Sequence, residues 1–362
     1  MVSAPGRVNL IGEHIDYYNL PVLPMALRRA IHVEFEPRSD HQIRASSPSY
    51  GEREFTWAPQ LTPVARGDWE NYLRASAQAI AGKWGVLNGI DATLSSDLPP
   101  AAGLSSSSAL IVAFTLALLR ANQIEATFEE LMEILPDGEQ FVGTRGGGMD
   151  HAASLASREG CASLIEFQPL AVHHIPIPAD WSFLVAHSLH TAEKSGPVRE
   201  RYNAVRTGGA DALRQLGFTS YPEAIAARGH EALLALAAEQ HLPPAFLHVI
   251  TEDARVRDAV AALRRDDPEC FGRILLEGHA SLRDRLRVSC PALDRLVEAA
   301  MQSGALGARL TGAGFGGCAV IFCRRPDLET VRNGLLDRFY SGDPAHFQHI
   351  LHAEPGRGAV NS

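Results

Sequence analysis

The 362-residue sequence predicts a two-domain α+β protein, and three observations carry that prediction. The length exceeds what one hydrophobic core ordinarily fills. Strand-like and helix-like patterns are interleaved, yet the regular strand-helix-strand rhythm of a parallel sheet is absent. The third observation is local. Gly312, Gly314 and Gly317, within GARLTGAGFGGCAVIF, spell the G-x-G-x-x-G of a dinucleotide-binding turn, but the run that follows, Cys318 to Phe322, is apolar and β-rich. A Rossmann turn leads from a strand into a helix whose N-terminal amides hold a pyrophosphate. A glycine loop between two strands is a different object, and a nicotinamide site is set aside on that ground.

Residues 8–11 and 21–35 read as strands, the second ending in the alternating Ile31-His-Val-Glu-Phe35. Trp69, Tyr72, Leu73 and Ile80 have helical spacing, and Gly82 or Gly85 stops that helix. Thr93 to Leu98 resembles a strand and leads into Pro99-Pro100 and a serine run, after which Ala109–Arg120 is helical. Asp150 to Arg158 is expected to be a helix and Cys161–Phe167 a strand. The proline-rich His174–Pro178 marks the expected boundary, giving an N-terminal domain of residues 1–172 and a C-terminal domain of 173–362. Several helices then precede the strand, glycine loop and strand.

Composition narrows the function classes. With 46% apolar and 21% charged residues the chain reads as soluble and globular. A formal charge of −9 argues against nucleic acid as a partner, because no basic stripe offsets it. An anionic substrate then falls to local amides and a few placed cations. Arg283-Asp-Arg285-Leu-Arg287 alternates in sign and reads as a solvated face. The five cysteines are odd in number and lack a C-x-x-C pair, and Cys161, Cys318 and Cys323 lie in apolar runs. That pattern fits a reduced cytoplasmic protein. No signal peptide is apparent, and the longest apolar stretch, Ala109 to Leu119, is half of a membrane span. No membrane partner is expected.

Three segments carry chemistry. In Pro99-Pro-Ala-Ala-Gly103-Leu104-Ser105-Ser106-Ser107-Ser108, four serines open an apolar helix. Serine is costly inside a helix and favourable at its caps. The exposed amides and positive end of the dipole also suit an anion. One serine suffices for capping, and Gly103 permits close approach, which favours a phosphate site. The chain has no G-x-x-x-x-G-K-[ST] and no H-R-D or D-F-G set, so a nucleotide is held by some other loop. In Gly143-Thr-Arg-Gly-Gly-Gly148-Met-Asp150, the glycines let backbone pass close to a ligand. Asp150 there is either a helix cap or a carboxylate kept ionised and ready to accept a proton. In Arg7-Val-Asn9-Leu-Ile-Gly12-Glu13-His14-Ile-Asp16-Tyr17, three polar groups crowd into four residues. Such neighbours rarely all face one metal ion. They form a surface turn, or they accept paired hydrogen bonds from sugar hydroxyls.

Together these segments resemble the galactokinases, in the small-molecule kinase superfamily that also holds homoserine, mevalonate and phosphomevalonate kinases. GRVNLIGEHIDY is similar to the galactokinase signature, LPPAAGLSSSSAL to the nucleotide-phosphate loop, and GARLTGAGFGGC with its preceding helix to the third motif. The resemblance implies a two-domain GHMP-kinase fold with its active site in the cleft between domains. It also implies a monomer whose partners are a small-molecule sugar and MgATP, which supplies ATP and Mg²⁺. The implied reaction is phosphorylation of the anomeric hydroxyl of galactose. Arg7 and Asp150 match the catalytic pair, with Asp150 taking or orienting the C1 hydroxyl and Arg7 stabilising charge. Glu13, His14, Asp16 and the Gly148 backbone correspond to sugar contacts. Gly103 to Ser108 (Leu104, Ser105 and Ser106 among them) would wrap the phosphates, with Ser107 as the Mg²⁺ ligand and Gly314 beside them. Trp69 falls in a segment similar to the adenine-side helix, where a core Trp is an equal alternative.

Several positions depart from the family. Met149-Asp150-His151 replaces Met-Asp-Gln, and Gly196 stands where a sugar-touching Tyr precedes Pro-Val-Arg. Asp16-Tyr17-Tyr18-Asn19-Leu20-Pro21 replaces Asp-Tyr-Asn-Gly-Gly, and the glycines from Gly143 look more like N-acetylgalactosamine kinases and plant or fungal galactokinases than the common bacterial form. These changes flank the sugar, so N-acetylgalactosamine, arabinose or a uronic acid are the alternative substrates. A non-catalytic galactose and ATP sensor is the rival class; such relatives lack two residues of the serine loop, which is full length here.

Overall fold

The computed structural model describes residues 1–99, 103–141, 147–190 and 197–359. The chain opens with strands β1 (Val2–Ile11), β2 (Leu23–Pro37), β3 (Gln42–Ser47) and β4 (Gly51–Thr56), then helix α1 (Glu70–Trp84) and strand β5 (Ile90–Ser96). These strands form one sheet in the order β1-β2-β5-β3-β4. It is mixed, because β3 and β5 run parallel while the other pairs are antiparallel. Helices α2 (Ser106–Ala121), α3 (Phe128–Phe141) and α4 (Met149–Ala156) follow. From Ile111 to Leu119 every side chain of α2 is buried, as a helix apolar all round requires. Among the described residues no helix is long and apolar enough to cross a membrane.

Strands β6 (Cys161–Phe167) and β7 (Leu170–Pro176) pair as a hairpin, with Cys161 opposite Pro176. The proline-rich segment at the expected domain boundary is therefore the second strand of a hairpin, and residue 172 lies inside it. Proline is tolerated at 176 because that residue ends a two-stranded pair. The chain then enters β8 (Trp181–His187), followed by α5 (Pro197–Gln215), α6 (Tyr221–Glu239), α7 (Pro244–Arg265), α8 (Pro268–Ser281) and α9 (Pro291–Gln302). Strands β9 (Gly307–Thr311) and β10 (Cys318–Arg324), helix α10 (Leu328–Arg338) and strand β11 (Ile350–His352) complete it. The second sheet has the order β11-β8-β10-β9 and is antiparallel throughout. The architecture is thus α+β with two principal sheets. The glycine loop joins two antiparallel strands, and no helix follows it.

Backbone contacts at two seams help fix the halves together. At the first, the Asn9 amide of β1 donates to Thr311 Oγ1 at 3.2 Å, and that hydroxyl donates back to the Asn9 carbonyl at 3.0 Å. At the second, the segment after β11 returns to the first sheet: the Arg28 amide donates to the Glu354 carbonyl and the Gly356 amide to Ala26. The last described residues therefore pack against β2, although they follow the second sheet in sequence. All five cysteines are free thiols, and Cys161, Cys318 and Cys323 are buried as their apolar surroundings suggested.

Helix α8 lies directly against β9 through a pair of glycines. A Cβ on Gly272 would sit 2.1 Å from the Leu306 carbonyl oxygen, and one on Gly307 would sit 2.4 Å from that of Gly272. Both neighbours are backbone, so neither can swing aside. Gly272→Ala is expected to cost about 1–3 kcal/mol through overpacking, read as a lower denaturant midpoint in equilibrium unfolding. An unchanged midpoint would show that helix and strand separate freely.

Candidate active site

Strand β1 is buried along almost its whole length, yet it carries Arg7. Its pairing with β2 slips between Pro5 and Arg7, a bulge that frees the Arg7 amide. That amide donates instead to the Leu104 carbonyl at 3.0 Å, which ties β1 to the serine loop. Bulges of this kind re-aim a side chain beside a site. Here the side chain reaches two groups: Arg7 Nε donates to Asp150 Oδ1 at 2.7 Å and Nη2 lies 2.6 Å from the same oxygen, while Nη1 donates to the Gly103 carbonyl at 3.0 Å.

Asp150 sits in the first turn of α4, behind Gly148, which caps the helix at φ +95°. Ser105, at φ +55°, turns its hydroxyl to donate to Asp150 Oδ2 at 2.5 Å. Burial by itself would raise the Asp150 carboxyl. The Arg7 guanidinium and the Ser105 hydroxyl outweigh it and hold the group below the usual aspartate range. The Asp150 side chain remains 24% exposed while that of Arg7 is 6% exposed, so the carboxylate is the accessible member. The structure thereby brings together Arg7, Gly103, Leu104, Ser105 and Asp150. Ser106, Ser107 and Ser108 form the first turn of α2, with Ser107 half-buried and Ser108 buried.

The sugar-signature residues lie next to this pair. Asp16 occupies a 3-10 turn over Asp16–Tyr18, and its Oδ2 accepts from the Gly147 amide at 3.1 Å. A Cβ on Gly147 would fall 2.4 Å from Asp16 Cγ, so only glycine allows this approach. Burial, and then the nearby Asp150 charge, push Asp16 up to about 6. His14 Nε2 lies 3.2 Å from the Ala313 carbonyl and Nδ1 3.1 Å from the Tyr17 hydroxyl. Burial lowers His14 to about 4, so the ring is neutral. The carbonyl accepts from Nε2–H and the tyrosine donates to Nδ1, which satisfies both nitrogens.

Glu13 is 1% exposed. It forms a close ion pair with Arg309 and accepts from the Gly312 amide at 3.3 Å. Burial pushes its carboxyl up to about 7 against the pull of Arg309. Both Glu13 oxygens are thus engaged by protein groups, not presented to an open cleft. Arg309 was not singled out from the sequence, although a charged residue inside an apolar strand was a usable signal.

Two expectations meet different surroundings. Gly314 was placed beside the phosphates. A Cβ there would lie 2.3 Å from the Val288 carbonyl oxygen, and the next amide, Phe315, donates to that oxygen at 2.6 Å. The close approach at Gly314 is to the protein's own backbone. Gly312 is the glycine near the serine loop, its Cβ position 3.7 Å from the Gly103 carbonyl oxygen. Trp69 is 8% exposed and its indole donates to the Tyr50 carbonyl at 3.1 Å. It stands in the core of the first half. His151 is buried on α4. Gly143 to Gly146, and Gly196 with its missing tyrosine, lie outside the described residues. A cavity of about 440 Å³ lined by Arg28, Arg29, Arg332 and His352 shares none of the site residues.

Comparison with known proteins matches the chain to one family. Residues 1–37 match the galactokinase galactose-binding signature, 71–158 the GHMP kinase N-terminal domain and 259–341 the GHMP kinase C-terminal region. The galactokinase of Roseiflexus sp. strain RS-1 is 37% identical over 99% of this chain and 93% of its own length. Human galactokinase is 37% identical over 88% of this chain and 82% of its own. Among solved structures, Lactococcus lactis galactokinase complexed with galactose superposes with a TM-score of 0.88 at 25% identity, covering 99% of this chain and 93% of that one. Methanococcus jannaschii mevalonate kinase shares the fold, with a TM-score of 0.68 at 18% identity over 98% of each chain.

The ion pair yields a direct test. In Arg7→Met, Asp150 keeps burial and the Ser105 hydroxyl but loses its countercharge, so its pKa is expected to rise. A carboxyl-carbon NMR titration reads this. An unmoved Asp150 resonance midpoint would show that Arg7 does not set its ionisation.

Proposed function

We propose that this chain, which belongs to the galactokinase family of the GHMP kinases, transfers the terminal phosphoryl group of ATP to the anomeric C1 hydroxyl of galactose. One observation supports the reading above the others. The Arg7–Asp150 pair joins the sugar signature, the serine loop and the start of α4 at one partly open carboxylate. The Roseiflexus and human galactokinases align with most of this chain, and one of the superposed galactokinase structures is complexed with galactose.

Phosphoryl transfer asks mainly for positioning and charge stabilisation. Asp150, held ionised, is a weak base and a good hydrogen-bond acceptor. It orients the C1 hydroxyl toward the phosphorus and receives the proton as the O–P bond forms, a late event in a loose transition state. Arg7 keeps Asp150 charged and stabilises charge on the transferring group. The α2 amides after Ser105, with the positive end of that helix, hold the phosphates. Asp16 and the Gly148 backbone form the sugar side, where an acceptor carboxylate suits hydroxyl groups. Glu13 and the neutral His14, engaged by Arg309, Gly312, Ala313 and Tyr17, hold the turn that carries Asp16.

Among the described residues no cluster of three His, Cys, Asp or Glu could cage a metal ion. That fits Mg²⁺ carried on ATP, since this ion prefers phosphate oxygens and water with few protein ligands. Ser107 would hold it, and the ion, when bound, would supply charge neutralisation at the phosphates.

Product analysis on a panel of galactose, N-acetylgalactosamine, arabinose and uronic acids with MgATP tests the assignment. Galactose 1-phosphate as the main product is expected; no phosphorylated sugar from any member would sink it. Asp150→Asn should lose at least ~10²-fold in kcat with sugar affinity largely kept. Equal turnover in that variant would remove Asp150 from the mechanism. Ser107→Ala should raise the Mg²⁺ concentration needed for half-maximal rate, and superimposable metal titrations would count against Ser107.

A further inference from the structure

Behind the sugar signature lies a closed set of four charges. Arg309 on β9 and Glu252 on α7 are both 0% exposed. Arg309 Nη1 donates to Glu252 Oε1 at 3.0 Å, while Nη2 makes the close pair with Glu13. Arg255 Nε donates to Glu252 Oε2 at 2.8 Å. Two carboxylates meet two guanidiniums, so the set is neutral, the condition under which such burial is tolerated. Gly278 of α8 makes the room: a Cβ there would stand 2.9 Å from Arg309 Nη1.

The same residues grip the backbone of the signature. The Gly12 amide donates to Glu252 Oε1 at 3.0 Å. His248 Nε2 lies 3.0 Å from the Glu13 carbonyl, and its Nδ1 lies 2.9 Å from the Ser281 hydroxyl. Residues 12–14 are thus held from the second half of the molecule at the Gly12 amide, the Glu13 carbonyl and carboxylate, and the His14 ring. Only an arginine can bridge both acids, because its planar fork carries donors in two directions.

We propose that Arg309 is a positioning residue for sugar binding: by bridging Glu252 and Glu13 it fixes the Glu13 carboxylate and, with it, the Gly12–Asp16 turn that receives the sugar. This rests on the sugar-kinase reading above. Without the guanidinium, two buried carboxylates face a single Arg255, which is bonded to Glu252. Glu13 is then the one left uncompensated, and its turn loosens. Arg309 touches neither Arg7 nor Asp150, so the chemical step is spared.

The test uses the full chain and steady-state kinetics with galactose and MgATP. Arg309→Met should raise the galactose KM by ~10-fold or more, as loss of a charge-assisted pair implies, with kcat and the ATP KM within about 3-fold. Arg309→Lys should recover part of the loss. Glu13→Gln combined with Arg309→Met should be no worse than the more damaging single change, since both act through one contact. Additive losses in the double variant, or equal damage to galactose KM, ATP KM and kcat, would overturn the proposal. Should Arg309→Met fail to fold, Glu252→Gln removes one anchor of the guanidinium at constant shape, and an unchanged galactose KM in it overturns the proposal equally. A wild-type protein that phosphorylates no sugar sinks the kinase reading itself. An active wild type indifferent to Arg309 sinks only this one.

Discussion

The contact between Arg7 and Asp150 is the constraint around which the rest is arranged. The two residues are separated by 143 positions and come from a strand and a helix start. For them to meet, β1 has to bulge so that Arg7 leaves the ladder, and α4 has to begin at a glycine with positive φ. The same guanidinium holds the Gly103 carbonyl, so the ion pair also sets where the serine loop enters α2. A half-buried pair of this kind contributes little to stability on its own, because desolvation offsets much of the attraction. Its value is geometric. It leaves one ionised carboxylate facing outward among three chain segments.

The glycine-rich segment shows how a motif changes meaning with its flanks. Between β9 and β10 it has no helix to offer a phosphate. Its backbone is instead bound by the sugar signature: Glu13 accepts from Gly312, and His14 binds Ala313. Gly314 lies flat on Val288, while Gly312 adjoins Gly103. The loop is therefore a spacer between the Gly12–Asp16 turn and the serine loop, and its glycines serve close packing of backbone on backbone.

The second half of the chain supplies what stands behind those segments. Against burial, Arg309 and Arg255 hold Glu252 well below the usual carboxylate range, while Glu13, sharing Arg309, is pushed upward. Neutral His248, lowered by burial to about 3, completes the contact without adding charge.

The alternation in β2 and the spacing of α1 were legible because periodicity records which face of an element is buried, and α2 because a continuous apolar run marks an element buried all round. The short strand after Gly317 was legible for the same reason, and it removed the dinucleotide reading before any coordinate was known. Residues 13, 14, 16, 105 and 150 drew notice because polar groups clustered beside glycine, and Arg7 through the resemblance to the galactokinases. The chain alone thus determined its elements, its α+β class and the segments that carry chemistry. Tertiary structure alone decided that Arg7 faces Asp150, that Ser105 donates to it, that Trp69 is core, that Gly314 rests on Val288, and that Glu252 and Arg309 stand behind Glu13. It also decided that the segment after β11 rejoins the first sheet and that residue 172 sits within a hairpin. The physical reason is range. Periodicity and capping are local properties, whereas an ion pair spanning 143 residues depends on the path of every element between, which no local pattern encodes.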